Sequence, residues 1–281
     1  MKTLLIIICF ISLNMCKSNS ANSTLASKKD ELINTQIASN NTPEAIDSKN
    51  SQIFRIKDYS LQQTGVVESK NFKIENDFYR LEYRYPYLDN ESYLQFNRYI
   101  KNTYLNVEKV VNQILDDKEI LCNEKGFGCD KDIKYLDYKI YSLDDELLSV
   151  LMFEENYYAG VAQSSYKFDC LNFNFNNGSF VSFNDFFVPN SEEFIFLEIN
   201  KNITKALNSG ELYNECWELT NEDFKVYKDN FVINDDHIRF YFDDCVICPS
   251  FTGTYYVDLP VDEIISRINV FKKNTLKNVN L

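Results

Sequence analysis

The chain has 281 residues, 44% of them hydrophobic and 15% aromatic, and 42 acidic against 29 basic residues give a formal net charge of -13. Such an acidic balance excludes the electrostatic footprint of a nucleic-acid binder, which meets phosphates with lysine and arginine. The single histidine, His237, excludes zinc sites that need two or three imidazoles and any Ser-His-Asp triad not built on that residue.

The N-terminus reads as an address. Lys2 precedes an apolar run from Leu4 to Leu13, about half the roughly twenty residues a spanning helix needs, so residues 1–16 are expected to be an export signal. The run ends in "SLNMC", where Leu13 and Cys16 hold the outer positions of a bacterial lipoprotein box, although Met15 is larger than the usual residue before the cysteine. The expectation is a lipid anchor on Cys16, the alternative a cut near Ser20 that releases a secreted protein. Residues 17–52 are rich in Ser, Asn, Lys and Thr and hold no aromatic residue. They read as a flexible tether that buries too little to fold.

The composition changes at residue 53, beyond which nearly all 22 Phe and 19 Tyr lie. Residues 53–150 are read as an N-terminal half carrying a long helix, and 151–272 as a sheet-rich half, together one compact unit. Strands open the first half in "FKIENDFYRLEYRYPYL", residues 72 to 88. From Tyr93 the apolar residues Phe96, Ile100, Tyr104, Val107, Val111 and Ile114 recur at three and four, predicting a helix with one core-facing stripe, capped by Asp89 or Asn90. A hairpin is expected about the acidic turn at Asp144 to Glu146.

In the second half, "SSYKFDCLNFNF" and "SFVSFNDFF" flank Asn176, Asn177 and Gly178, predicting a hairpin with a tight two-residue Asn-Gly turn. The apolar parity of the first arm flips near Cys170, which predicts a bulge or burial on both faces. A second helix is expected from Ser191 to Ser209 with Gly210 as its cap. A third hairpin should turn about Asn234 to Asp236, and "TGTYYVDLPVDEIISRI" should be a last strand leading into a short helix. Strands and helices do not alternate regularly, which predicts an α+β fold: a mainly antiparallel sheet with a long helix and a second helix packed on it.

Catalytic motifs are scarce. The sequence holds no G-x-S-x-G, phosphate-cradling glycine loop or dinucleotide fingerprint, calls for no cofactor, and presents His237 as a half-exposed turn residue. Acidic doublets at Asp116 and Asp117, Glu154 and Glu155, Glu192 and Glu193, Asp235 and Asp236, and Asp243 and Asp244 read mostly as solvated surface that attracts a cationic protein at low salt. Export places Cys122, Cys129, Cys170, Cys216, Cys245 and Cys248 in an oxidising space, where structural disulfides are expected. Cys122 and Cys129 bracket a glycine-bearing loop and are expected to pair. A zinc site from Cys170, Cys216, Cys245 and Cys248, or free thiols, are the alternatives. A redox role for "CVIC" is disfavoured, because Asp243 and Asp244 put negative charge beside Cys245 whereas a reactive thiol wants a lowered pKa.

Three segments, "YPYLDNESYLQFNRYI", "YYAGVAQSSYKFDCLNFNFNNGSFVSFNDFF" and "HIRFYFDDCVICPSFTGTYYVDLPVDEI", together resemble the extracytoplasmic domain shared by RsiV-type anti-sigma factors and the N-terminal module of PdaC-type peptidoglycan deacetylases. The matching residues are Tyr85 and Pro86, Asn97 and Ile100, Gly160 and Ala162, Asn177 and Gly178, Phe186 and Phe187, and Leu259 and Pro260. Val161 and Gln163 stand where that family often has Gly and His. The resemblance implies an isolated sensor-like or wall-facing module outside the cytoplasm, in an envelope; the expected lipid on Cys16 would be its only hold on the membrane. The resemblance also implies a partner such as a cationic lysozyme-like protein or a peptidoglycan fragment. Tyr157, Tyr158, Gln163, Tyr255 and Tyr256 are the candidate binding residues, with no metal. The expectation is a binding module without enzymatic activity, the alternatives being a carboxylate-dependent wall-glycan hydrolase and a structural envelope lipoprotein without a ligand.

Overall fold

The structure, a computed structural model, describes residues 66–125, 130–159 and 163–269, with backbone alone for 121–125. The signal and tether, Cys16, the Cys122–Cys129 pairing and the Gly160–Ala162 motif lie outside the described residues.

Six strands form one mixed sheet in chain order: β1 Val67–Glu75, β2 Tyr79–Leu88, β3 Asp132–Leu143, β4 Leu147–Tyr157, β5 Ser165–Asn174 and β6 Ser179–Phe180. Every pairing is antiparallel except β2 with β3. A parallel pair needs a long crossover, and the helical stretch supplies it. The tight turns are made by side chains that mimic the backbone. Asn76 Oδ1 accepts from the N–H groups of Phe78 and Tyr79 (both 2.9 Å), and Asp144 Oδ1 accepts from Glu146 (2.7 Å) and Leu147 (2.8 Å).

The predicted long helix is present as α1 Leu94–Tyr104 and α2 Val107–Lys125, with Leu105 and Asn106 between them. Asn90 caps the single 3-10 turn that precedes α1, accepting from Ser92 N–H at 2.8 Å. The predicted stripe faces the sheet: Phe96, Ile100, Tyr104 and Ile114 are buried with Leu81, Leu136, Val150 and Phe173. Asn97 fixes α1 to the end of β2 by accepting from Leu88 N–H (2.9 Å) and donating to Leu88 O (2.8 Å). Lower on the crossover, Lys118 of α2 is buried against Asp132 of β3 at 3.0 Å, and Asp132 also accepts from Ala159 N–H at 2.8 Å.

The opposite face is covered by a second antiparallel sheet, β7 Phe231–Ile233, β8 His237–Tyr241 and β9 Tyr256–Pro260. Behind it lies α4, Glu192–Ser209, whose Ile195, Ile199 and Ile203 are buried. Gly210 ends α4 at φ 76°, the left-handed cap that the sequence predicts. This core is dominated by phenylalanine: Phe186, Phe187, Phe231 and Phe240 touch ring to ring. Two-sided cover explains the parity flip at Cys170. The register from Leu147↔Asn174 to Asn156↔Ser165 is unbroken, so β5 is buried on both faces and holds no bulge; the irregularity lies in β3, between Ile140 and Ser142.

The β5–β6 hairpin departs from the two-residue turn. Asn174 pairs with Ser179, so four residues connect the arms, and Gly178 is at φ 66° while Asn177 is not among the positive-φ residues. The second arm is also short. Ser182 and Asp185 form a capping box, with Ser182 N–H donating to the Asp185 carboxylate at 2.9 Å, and the chain turns into α3, Phe183–Phe186. β6 therefore ends after two residues and leaves the rest of the β5 edge without a strand beside it.

The cysteines answer the "CVIC" question. Cys216 is bonded to Cys248, and Cys245 is also disulfide-bonded, so the two cysteines of the motif are not partners in a redox pair. The Cys216–Cys248 bond also removes two of the four thiolates that the zinc alternative needs. Trp217 reinforces the staple, its backbone N–H donating to Ile247 O (2.9 Å) and its indole to Val246 O (2.8 Å). Cys170 corrects the expectation of a bond at all six positions: it is a free thiol. It lies inside β5 between the two covers, and burial pushes its pKa well up, which keeps the thiol neutral.

Candidate functional site

The open edge of β5 is the floor of a groove of about 550 Å³. The early end of β6 creates it, and the edge it exposes is satisfied by side chains where a strand would otherwise lie. Asn230, just ahead of β7, accepts from Cys170 N–H (2.7 Å) and donates to Phe168 O and Tyr241 O (both 2.9 Å). Asp243 accepts from Phe168 N–H at 2.9 Å. One asparagine and one aspartate thus close the ladder and present carboxylate and amide groups to the groove.

The walls come from opposite faces of the sheet. On the helix side, Tyr99 and Tyr104 of α1 both donate their hydroxyls to Asp169 Oδ2, Tyr99 at 2.8 Å, and Glu154 of β4 stands across from Lys167 of β5. On the small-sheet side, Tyr227, at the end of α5 (Asn221–Tyr227), hydrogen-bonds Asp243. Burial pushes Glu154 and Asp243 above the usual carboxylate range, and Asp169 adds to both shifts by repulsion while Lys167 opposes them. Burial beside carboxylates also drives the hydroxyls of Tyr99, Tyr104 and Tyr227 up, which keeps them as neutral donors. The groove is thus an acid-rich concavity with its tyrosine hydroxyls already spent on its own carboxylates. Such an arrangement accepts cationic N–H groups and resists anions.

The sequence-predicted binding residues lie elsewhere and are not gathered in this groove. Tyr158 is exposed beside Lys134, whose ammonium is 5.2 Å from the ring centroid, while Tyr157 is half-buried and Gln163 exposed at the β4–β5 connection. Tyr255 is buried against Phe168 and Tyr166. Tyr256 is covered by the Arg239 guanidinium at 3.8 Å, with Arg239 itself held by both oxygens of Asp258. The doublet Asp243–Asp244 corrects the reading of solvated surface: both carboxyls are half-buried, and burial raises both pKa values. Asp169 is the single carboxylate of β5, a strand that also carries Lys167, Asn172 and Asn174, so neither it nor Tyr99, Tyr104 and Asn230 carried a distinguishing signal.

Residues 184–262, which include the Asn230 and Asp243 wall, match the family described as "Protein of unknown function (DUF3298)". A solved DUF3298-family member from Bacteroides fragilis aligns at 12% identity over 76% of this chain and 98% of its own, with a TM-score of 0.49. A DUF3298-family protein from Pseudomonas aeruginosa aligns at 11% identity over 75% and 97%, with a TM-score of 0.50, and shares the fold. No curated protein matches the chain. Among the described residues no helix is long and apolar enough to cross a membrane.

Proposed function

We propose that this chain with its DUF3298 region is an exported, lipid-anchored envelope module without enzymatic activity, and that it binds a cationic lysozyme-like protein through the β5 groove. The observation that carries this reading is the gathering of Glu154, Asp169 and Asp243 on both walls of one concavity, in a chain already at -13. The resemblance to RsiV-type domains supports the same partner class. A glycan platform has less support, because the tyrosines it would use are dispersed or buried.

The test is titration of the full chain with purified lysozyme by calorimetry at about 50 and 500 mM salt, across which the Debye length falls from roughly 14 to 4 Å. Binding that weakens with salt and with Asp169→Asn supports the proposal. Binding to soluble peptidoglycan fragments that is indifferent to salt would replace the protein partner with a glycan. One observation favours a second reading: Glu154, its carboxyl raised by burial, lies near Asp169, the kind of pair from which a carboxylate-dependent glycan hydrolase is built. Release of reducing ends from cell walls by the pure protein, lost in Glu154→Gln, would establish that alternative.

A further inference from the structure

Resting on the groove as the binding site, we infer that its ligand group is a single cationic N–H donor on an alkyl stem, a lysine- or arginine-type side chain. Asn172 supplies the evidence beyond the carboxylates. It is 2% exposed and lines the groove; its amide N–H donates to Phe231 O at 2.8 Å, while its Oδ1 is buried with no hydrogen-bond partner among the described residues. An acceptor desolvated without a donor costs free energy in the empty groove, and a ligand N–H recovers it.

The inventory of the groove is dominated by acceptors. The hydroxyls of Tyr99, Tyr104 and Tyr227 and the amide of Asn230 donate inward, while carboxylate oxygens and Asn172 Oδ1 are acceptors. Lys167, on the exposed rim, is outnumbered by Glu154, Asp169, Asp229 and Asp243. Between these polar groups lie Met152, Leu171, Phe180 and Val181, apolar surface suited to an alkyl stem and not to a bare metal or a free ammonium ion.

Met152 makes the test direct, since Met1 and Met15 lie in the signal and Met152 is the remaining methionine of three. The full chain carrying carbon-13 methionine methyls is titrated with n-pentylammonium, n-butylguanidinium and, as the uncharged control, n-pentanol. Saturable movement of the Met152 methyl with either cation, at an affinity about tenfold or more above pentanol, supports the inference, and the stronger cation identifies the side-chain type. Asp169→Asn and Asp243→Asn, each checked for an unchanged melting profile, should each weaken the cation several-fold and leave pentanol alone. Equal binding of pentanol and both cations, or no saturable shift at about 100 mM in folded protein, overturns it. If lysozyme binds in a salt-sensitive manner while no cation moves Met152, the seat is wrong and the protein-partner reading survives. If the methyl moves and lysozyme does not bind, the seat stands and that partner falls.

Discussion

The two faces of the six-stranded sheet are covered by different means. The helix side is a mixed layer of aliphatic, phenylalanine and tyrosine side chains pinned by polar locks at its two ends, Asn97 to Leu88 and Lys118 to Asp132. The small-sheet side is a phenylalanine cluster with a covalent staple, Cys216 to Cys248. The groove lies where the two covers meet along β5 and neither closes over it, so each wall belongs to a different cover: Tyr99 and Tyr104 to the helices, Asn230 and Asp243 to the small-sheet side.

That contrast is open to direct attack. The largest effect is expected from Phe231→Ala, because Phe231 is 0% exposed and touches Phe186, Phe187 and Phe240; urea unfolding should show a loss of about 3 to 5 kcal/mol. Next comes Lys118→Met in the helix cover, which strands Asp132 in the interior with, among the described residues, only the Ala159 N–H at hand. A loss of about 3 kcal/mol is expected, and a neutral result would show that this lock contributes nothing to the helix side. Removing the staple by Cys216→Ser with Cys248→Ser opens a loop with a sequence separation of 32 and should cost about 2 to 4 kcal/mol. Non-reducing peptide mapping of the parent protein should recover the 216–248 pair.

Smaller effects test the groove between the covers. Burial raises the folded-state pKa of Glu154 and of Asp243, so the folded chain holds protons that the unfolded chain releases. The stability from this linkage is full below the ordinary carboxylate range and is lost as pH rises through the raised values. For Glu154, Lys167 and Lys134 oppose the shift while Asp169 and Asp243 add to it. Glu154→Gln should flatten the stability profile from about pH 4 upward, measured by denaturation at several pH values; an unchanged profile would mean that the groove admits enough water to leave Glu154 unperturbed. The smallest effect is expected from Gly178→Ala, about 1 kcal/mol, since φ is 66° and the new Cβ would sit 3.1 Å from Ser92 O.

What the sequence determined by itself is what short-range physics controls. The stripe from Phe96 to Ile114, the Gly210 cap, the hairpin at Asn234 to Asp236 and the α+β class follow from periodicity and from residues whose side chains or φ preferences act within a few positions. The double burial of β5 was visible as one of two readings of its parity flip. The tertiary structure decided what depends on which distant segments meet. Only the pairing of Cys216 with Cys248, and the stranding of Cys170 between two covers, show which of six cysteines can reach a partner. Only the capping box at Ser182 and Asp185, acting against the continuation of β6, opens the β5 edge and lets Asn230 and Asp243 occupy it. A carboxylate such as Asp243 looks solvated in sequence because charged doublets usually are; its burial arises from Phe168, 75 positions away, and separation along the chain carries no information about that encounter.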